Sequence, residues 1–148
     1  MSDNSIRRVV TGINEQGRST VLFDDSQSGA TARVLWATDS LPADNASRAD
    51  AAPAFGLERF RSPGTTFMLF ELPAGQTSPM HATDTIDYIV VLKGRLELIL
   101  ETGSVELAPG DCVVARGVIH AWRALGDEPA MSVGVLAPAE PVGAGATI

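Results

Sequence analysis

Arg95-Leu96-Glu97-Leu98-Ile99-Leu100-Glu101-Thr102-Gly103-Ser104-Val105-Glu106-Leu107 is the stretch that settles the fold class. Leu96, Leu98 and Leu100 alternate with Glu97 and Glu101, so an extended backbone puts the leucines on a buried face and the carboxylates on a wet one. Thr102-Gly103 supplies a tight turn, after which Val105 and Leu107 resume the alternation, and Arg95–Leu107 reads as a β-hairpin. Lys93-Gly94 makes the turn before it. Further out, 14 glycines and 9 prolines punctuate short runs rich in Val, Ile, Leu and Phe. The runs expected as strands are Ile6–Val10, Thr20–Phe23, Ala32–Trp36, Thr65–Leu72, Ile86–Leu92, Arg95–Glu101, Ser104–Leu107, Asp111–Ala115, Ile119–Ala124 and Met131–Leu136. Such a chain is all-β.

Its 148 residues suit one domain with one core, large enough to fold without disulfide or metal staples. Eleven basic side chains stand against 18 acidic ones, a net charge of −7, and Lys93 is the only lysine. Phosphate backbones and anionic membranes repel such a surface, so neither nucleic acid nor membrane is expected as a partner. The longest apolar run in the middle of the chain, Ile89-Val90-Val91-Leu92, is far short of the roughly 20 residues of a spanning helix. Met1-Ser2-Asp3-Asn4-Ser5 has neither the basic nor the apolar region of a signal peptide. With Cys112 as the single cysteine, a cytoplasmic setting is expected. Cys112 itself reads as a small buried hydrophobe.

Between Thr38 and Gly64 the alternation gives way to Asp, Ala, Ser, Asn and Pro. One or two helical turns capped by Asn45 are expected before Pro53 stops them. A connection this long is expected to be either functional or disordered, and if functional to fold over a pocket or reach a partner subunit.

Only two histidines occur, His81 and His120, each at the edge of an expected strand. Positions 81, 83 and 87 share parity, so an extended backbone aims His81, Thr83 and Asp87 the same way. Trp122 shares parity with His120 and is expected to wall the same interior, next to Met80. Asp87 has a structural alternative, as a buried carboxylate bonded by Thr83, Thr85 or a backbone amide.

Gly75-x5-His81-x-Thr83-x3-Asp87-x6-Gly94 resembles the first cupin motif, with every interval kept and two metal-ligand slots altered. Pro109-Gly110-Asp111 through Gly117 and His120 to Trp122 is similar to the second, with Ala115 in the slot of a proline and Ala124 in that of an asparagine. The resemblance implies a double-stranded β-helix, the cupin jelly-roll barrel, over 65–137, with extra N-terminal strands and a long loop over 1–64 that pack on the barrel or swap between barrels. Residues 138–148 are expected as a mobile tail. It further implies a divalent transition metal (Fe, Mn, Zn, Ni or Co) on His81, Asp87 and His120, with Thr83 bonding bound water or substrate. Thr83 and Asp87 are the catalytic candidates; Met80, Thr83 and Trp122 line the substrate pocket. The expected function is that of a metal-dependent enzyme on a small organic substrate, of dioxygenase, isomerase, dehydratase or lyase type. The alternative is a non-catalytic cupin that binds a metabolite or serves as a structural dimer. The N-terminal strands are expected to join a homodimer by covering an exposed sheet edge.

Overall fold

The computed structural model describes residues 3–148. Ten strands are joined by one short 3-10 helix: β1 (Ile6–Ile13), β2 (Ser19–Gln27), β3 (Ala32–Ala37), the helix (Leu57–Arg61), β4 (Thr66–Leu72), β5 (Thr85–Lys93), β6 (Arg95–Leu100), β7 (Gly103–Leu107), β8 (Cys112–Ala115), β9 (His120–Leu125) and β10 (Ala130–Pro138). A five-stranded sheet of order β3-β4-β10-β5-β8 faces a three-stranded sheet of order β7-β6-β9, and β1 and β2 form a hairpin of their own. Neighbouring strands in these sheets pair antiparallel. The architecture is a jelly-roll barrel, and no helix among the described residues is long and apolar enough to cross a membrane.

Two clusters of buried side chains close the barrel. Val91, Leu96, Leu107, Ala124 and Ala130 join the two sheets, and Leu35, Leu69 and Met131 seal the end toward β3. Each fully buried Leu or Val contributes roughly 1.5–3 kcal/mol. The barrel therefore rests on its apolar core. Gly94, between β5 and β6, has φ +71°, and a Cβ there would lie 2.3 Å from the Pro129 carbonyl oxygen, so this turn admits only glycine.

Four local readings are corrected by the structure. Glu97, expected in water, is buried: β6 is the middle strand of its sheet, so Glu97 lies between Ser104, whose hydroxyl donates to it at 2.7 Å, and Arg123, which pairs with it. Cys112 is exposed, because it faces outward on β8, the edge strand, while Ala115 packs inward. No helix forms over 45–52; the Ala51 carbonyl accepts the Ala37 N–H at 2.7 Å and Asp50 pairs with Arg8, which draws the segment out along β3. β2 runs on to Gln27 because ion pairing replaces apolar alternation there: Arg7 is bonded to Asp24 and Arg8 to Asp25 across the hairpin.

Arg8 is the clasp of the N-terminal half. Its side chain is 6% exposed, it holds Asp25 at 2.6 Å and Asp50 at 2.8 Å, and it donates to the Leu35 carbonyl at 3.1 Å. One guanidinium thus ties the hairpin, β3 and the long connection together. Truncating it leaves two carboxylates facing each other, although Asp25 and Asp50 remain 37% and 44% exposed and are partly screened by water. Arg8→Ala is expected to cost about 2 kcal/mol, less than a fully buried pair would. Urea unfolding checks this as a lower midpoint at unchanged slope.

Candidate functional site

His81 and His120 meet through their backbones. Each donates its N–H to the carbonyl of the other at 2.9 Å, an isolated antiparallel bridge that puts both side chains on one side. The segment from Gly75 to His81, which carries no strand pattern of its own, runs alongside β9: Gly75 donates to Ala124 at 3.1 Å and Ser78 to Trp122 at 2.8 Å. Gly117 lets the two straps approach closely. Its φ is +69°, and a Cβ there would sit 3.2 Å from the Thr83 carbonyl oxygen.

The two imidazole centroids are 4.5 Å apart, and the edge of Trp122 abuts His120 at 5.5 Å. Each ring is fixed by the backbone two residues before it. His81 Nδ1 is 2.9 Å from the Pro79 carbonyl and His120 Nδ1 is 2.8 Å from that of Val118. A carbonyl oxygen can only accept, so Nδ1 carries a proton in both rings, and in the neutral ring Nε2 is the atom that keeps its lone pair. Burial pushes the His120 imidazole below its usual range, opposed by the bond to Val118 and aided by the proximity of His81.

Below the rings, Thr83, Thr85 and Asp87 form a chain of buried polar groups. Thr85 donates to Asp87 Oδ1 at 2.7 Å, which leaves Thr83 as the donor to Thr85, also at 2.7 Å. With Asp87 ionised, the Thr83 oxygen is left as an acceptor. Burial raises the Asp87 carboxyl above its usual range, opposed by the Thr85 hydroxyl and by His81. When it is protonated, the whole chain can reverse.

These groups line a cavity of about 580 Å³, within the roughly 300–1,000 Å³ of small-molecule sites. Met80, 43% exposed, and Trp122 border it with His81, Thr83, Asp87 and His120. Phe55, Leu57 and Phe60 reach it from the long connection, and Ile148, whose N–H donates to the Ala82 carbonyl at 2.9 Å, reaches it from the other end of the chain. Phe70, Leu72 and Ile89 form its walls. Tyr88 is 52% exposed and turned outward, and Arg61, Arg116 and Arg123 do not line it.

Residues 68–135 match the cupin domain family Cupin_2. They form a cupin domain. The chain is similar to the cupin-domain-containing oxidoreductase srdD of Neurospora crassa, 32% identical over 129 residues, covering 79% of this chain and 65% of the relative. It is 27% identical over 126 residues to the cupin-domain-containing oxidoreductase fogC of Aspergillus ruber, covering 78% and 62%. The chain thus spans just under two thirds of the length of these relatives. A cupin 2 conserved barrel domain protein from Salinispora arenicola aligns at 21% identity with a TM-score of 0.47, covering 51% of this chain and 64% of that one.

Metal is common among cupins, and the donor set here bears on how an ion could be held. The two Nε2 atoms are suitable ligands. The Asp87 carboxylate is engaged by Thr85, and among the described residues no three His, Cys, Asp or Glu side chains come together as a metal-holding group. Among the described residues no centre with three protein ligands is assembled, and the two imidazoles are the candidate donor pair.

The raised Asp87 carboxyl gives a signed pH dependence. A carboxyl that holds its proton more tightly folded than unfolded stabilises the fold below the unfolded pKa, and that stability is lost as pH rises through the folded pKa. At neutral pH the ionised group is a net cost. Asp87→Asn keeps an oxygen to accept from Thr85 and is expected to raise the melting temperature at pH 7.5. The gain over the natural chain should shrink as pH falls through the carboxylate range, in paired thermal melts from pH 7.5 to 4.

Proposed function

We propose that this cupin domain is an enzyme that acts on a small organic molecule in the barrel mouth, with His81 and His120 as its proton-handling pair. The observation that supports this is the pinning of both rings through Nδ1–H, which leaves two unprotonated Nε2 atoms beside one cavity. A neutral, oriented imidazole is a general base suited to neutral pH. Nε2 of either ring can take a proton from a substrate hydroxyl or an acidic C–H. At 4.5 Å between centroids, a charge on one ring disfavours charging the other, so the pair accepts one proton at a time.

Thr83 positions the substrate oxygen, and Asp87 sets the polarity of that contact through Thr85. Phe55 and Phe60, an edge-to-face pair with centroids 5.7 Å apart, cover the mouth and limit the entry of water. Two relatives are named as cupin-domain-containing oxidoreductases, which favours an oxidative outcome in which His81 or His120 takes the substrate proton and a second substrate, a diffusible two-electron acceptor such as O2, takes the electron pair. No step is assigned to a metal, because the third protein ligand is not in place.

Metal titration tests this reading. Dialysis of the purified chain against a chelator should leave it folded and free of ion. Thr83→His adds an imidazole beside His81 and should then bind Co, Ni or Zn at least about tenfold more tightly than the natural chain, the worth of a 1.4 kcal/mol gain. Competition against a coloured chelator gives both affinities. A natural chain that keeps one ion per molecule through dialysis would overturn the assignment of His81 and His120 as free bases.

A further inference from the structure

The cavity has a polarity that specifies more than its size. Among its lining residues there is no lysine or arginine, and the ionisable side chains are Glu71, Asp87 and the two histidines. A carboxylate or phosphate would find no cation there, and two acidic side chains would oppose it within a chain of net charge −7. Around the two rings the polar atoms that face the cavity, both Nε2 atoms, Thr83 and Asp87, are acceptors while Asp87 is ionised, and the donors elsewhere in the lining include the Ser132 hydroxyl and the Trp122 indole N–H. The Nδ1–H donors of both histidines are spent on the Pro79 and Val118 carbonyls, and the Thr83 hydroxyl is spent on Thr85. Acceptors buried without a donor cost free energy, so an occupant that brings a hydrogen to the histidine end is favoured.

Most of the rest of the wall is apolar, and four aromatic side chains contribute to it. Phe55, Phe60 and Phe70 present rings, Trp122 stands edge-on to His120, and Leu72 and Ile89 fill between them. Flat rings find offset or edge contacts on such walls, whereas a sugar would leave most of its hydroxyls without partners.

We infer that the site takes a neutral aromatic molecule carrying a hydroxyl group, a phenol or aryl alcohol, with the hydroxyl donating to Nε2 of His81 or His120 and the ring lying among Phe55, Phe60, Phe70 and Trp122. This rests on the proposed function, since it uses the same free Nε2 atoms. It also defines what that pair first meets: an O–H already directed at a base.

Three probes of similar shape separate the terms: 2-naphthol, naphthalene and 2-naphthoate, titrated by calorimetry at pH 7.5 into the full chain. 2-Naphthol is expected to bind saturably at one site per chain, roughly tenfold more tightly than naphthalene, the worth of one hydrogen bond to a buried acceptor. 2-Naphthoate should bind more weakly than either. His120→Ala and, independently, His81→Ala are made so that one poorly folded variant does not decide the result. At least one should reduce the preference for 2-naphthol over naphthalene while leaving naphthalene binding within about twofold. Binding of 2-naphthoate as tight as that of 2-naphthol overturns the ligand class and leaves the pocket reading standing. An unchanged preference in both folded variants overturns the role of the histidines in recognition. Absence of saturable binding by all three overturns the inference and the pocket reading beneath it.

Discussion

The reciprocal backbone bond between His81 and His120 is the constraint on which the site depends. A hydrogen-bonded antiparallel pair fixes where two side chains leave the backbone, and here it brings together two residues far apart in sequence. One partner starts β9, which is paired along its length with β6; the other ends a strap bonded to the opposite edge of β9. The apolar core holds both supports. Ring orientation follows from the next bonds outward, the Pro79 and Val118 carbonyls, so the imidazoles are aimed by backbone groups already fixed by the barrel.

The N-terminal half reaches the same cavity by a different route. Arg8 binds the hairpin to Asp50, and five residues later the chain delivers Phe55 to the mouth. The clasp therefore lies at the root of the segment that covers the site. Its charge is matched by two carboxylates, which lets a guanidinium lie nearly buried beneath the long connection. The cover and the base pair thus rest on separate supports: Arg8 and its partners for one, the sheet for the other.

Strand positions were legible because alternation survives wherever one face is buried, and all ten expected runs form strands. Legibility failed where something other than burial decides. Glu97 reads as a wet residue by parity, but a central strand flanked by Ser104 and Arg123 gives a carboxylate enough partners to be buried. The polar end of β2 has no apolar period because ion pairs hold it. Parity did gather His81, Thr83 and Asp87, which all line one cavity. It could not show that Thr85 stands between Thr83 and Asp87 as a hydrogen-bonded relay, since the choice between ligand and relay is a matter of distances. The length of the loop suggested a cover over a pocket, but nothing singled out Phe55 and Phe60 within it: the loop is aperiodic, and only the tertiary fold gives such residues a place.

Long-range proton–nitrogen NMR correlation of the two imidazoles at pH 7.5 tests the central claim most directly, because it reports which ring nitrogen carries hydrogen without needing a substrate. Both rings should be neutral Nδ1–H tautomers, with Nε2 of the unprotonated, pyridine-like type in each. A ring protonated on Nε2, or charged at both nitrogens at that pH, would contradict the account, since neither leaves a free lone pair beside the cavity.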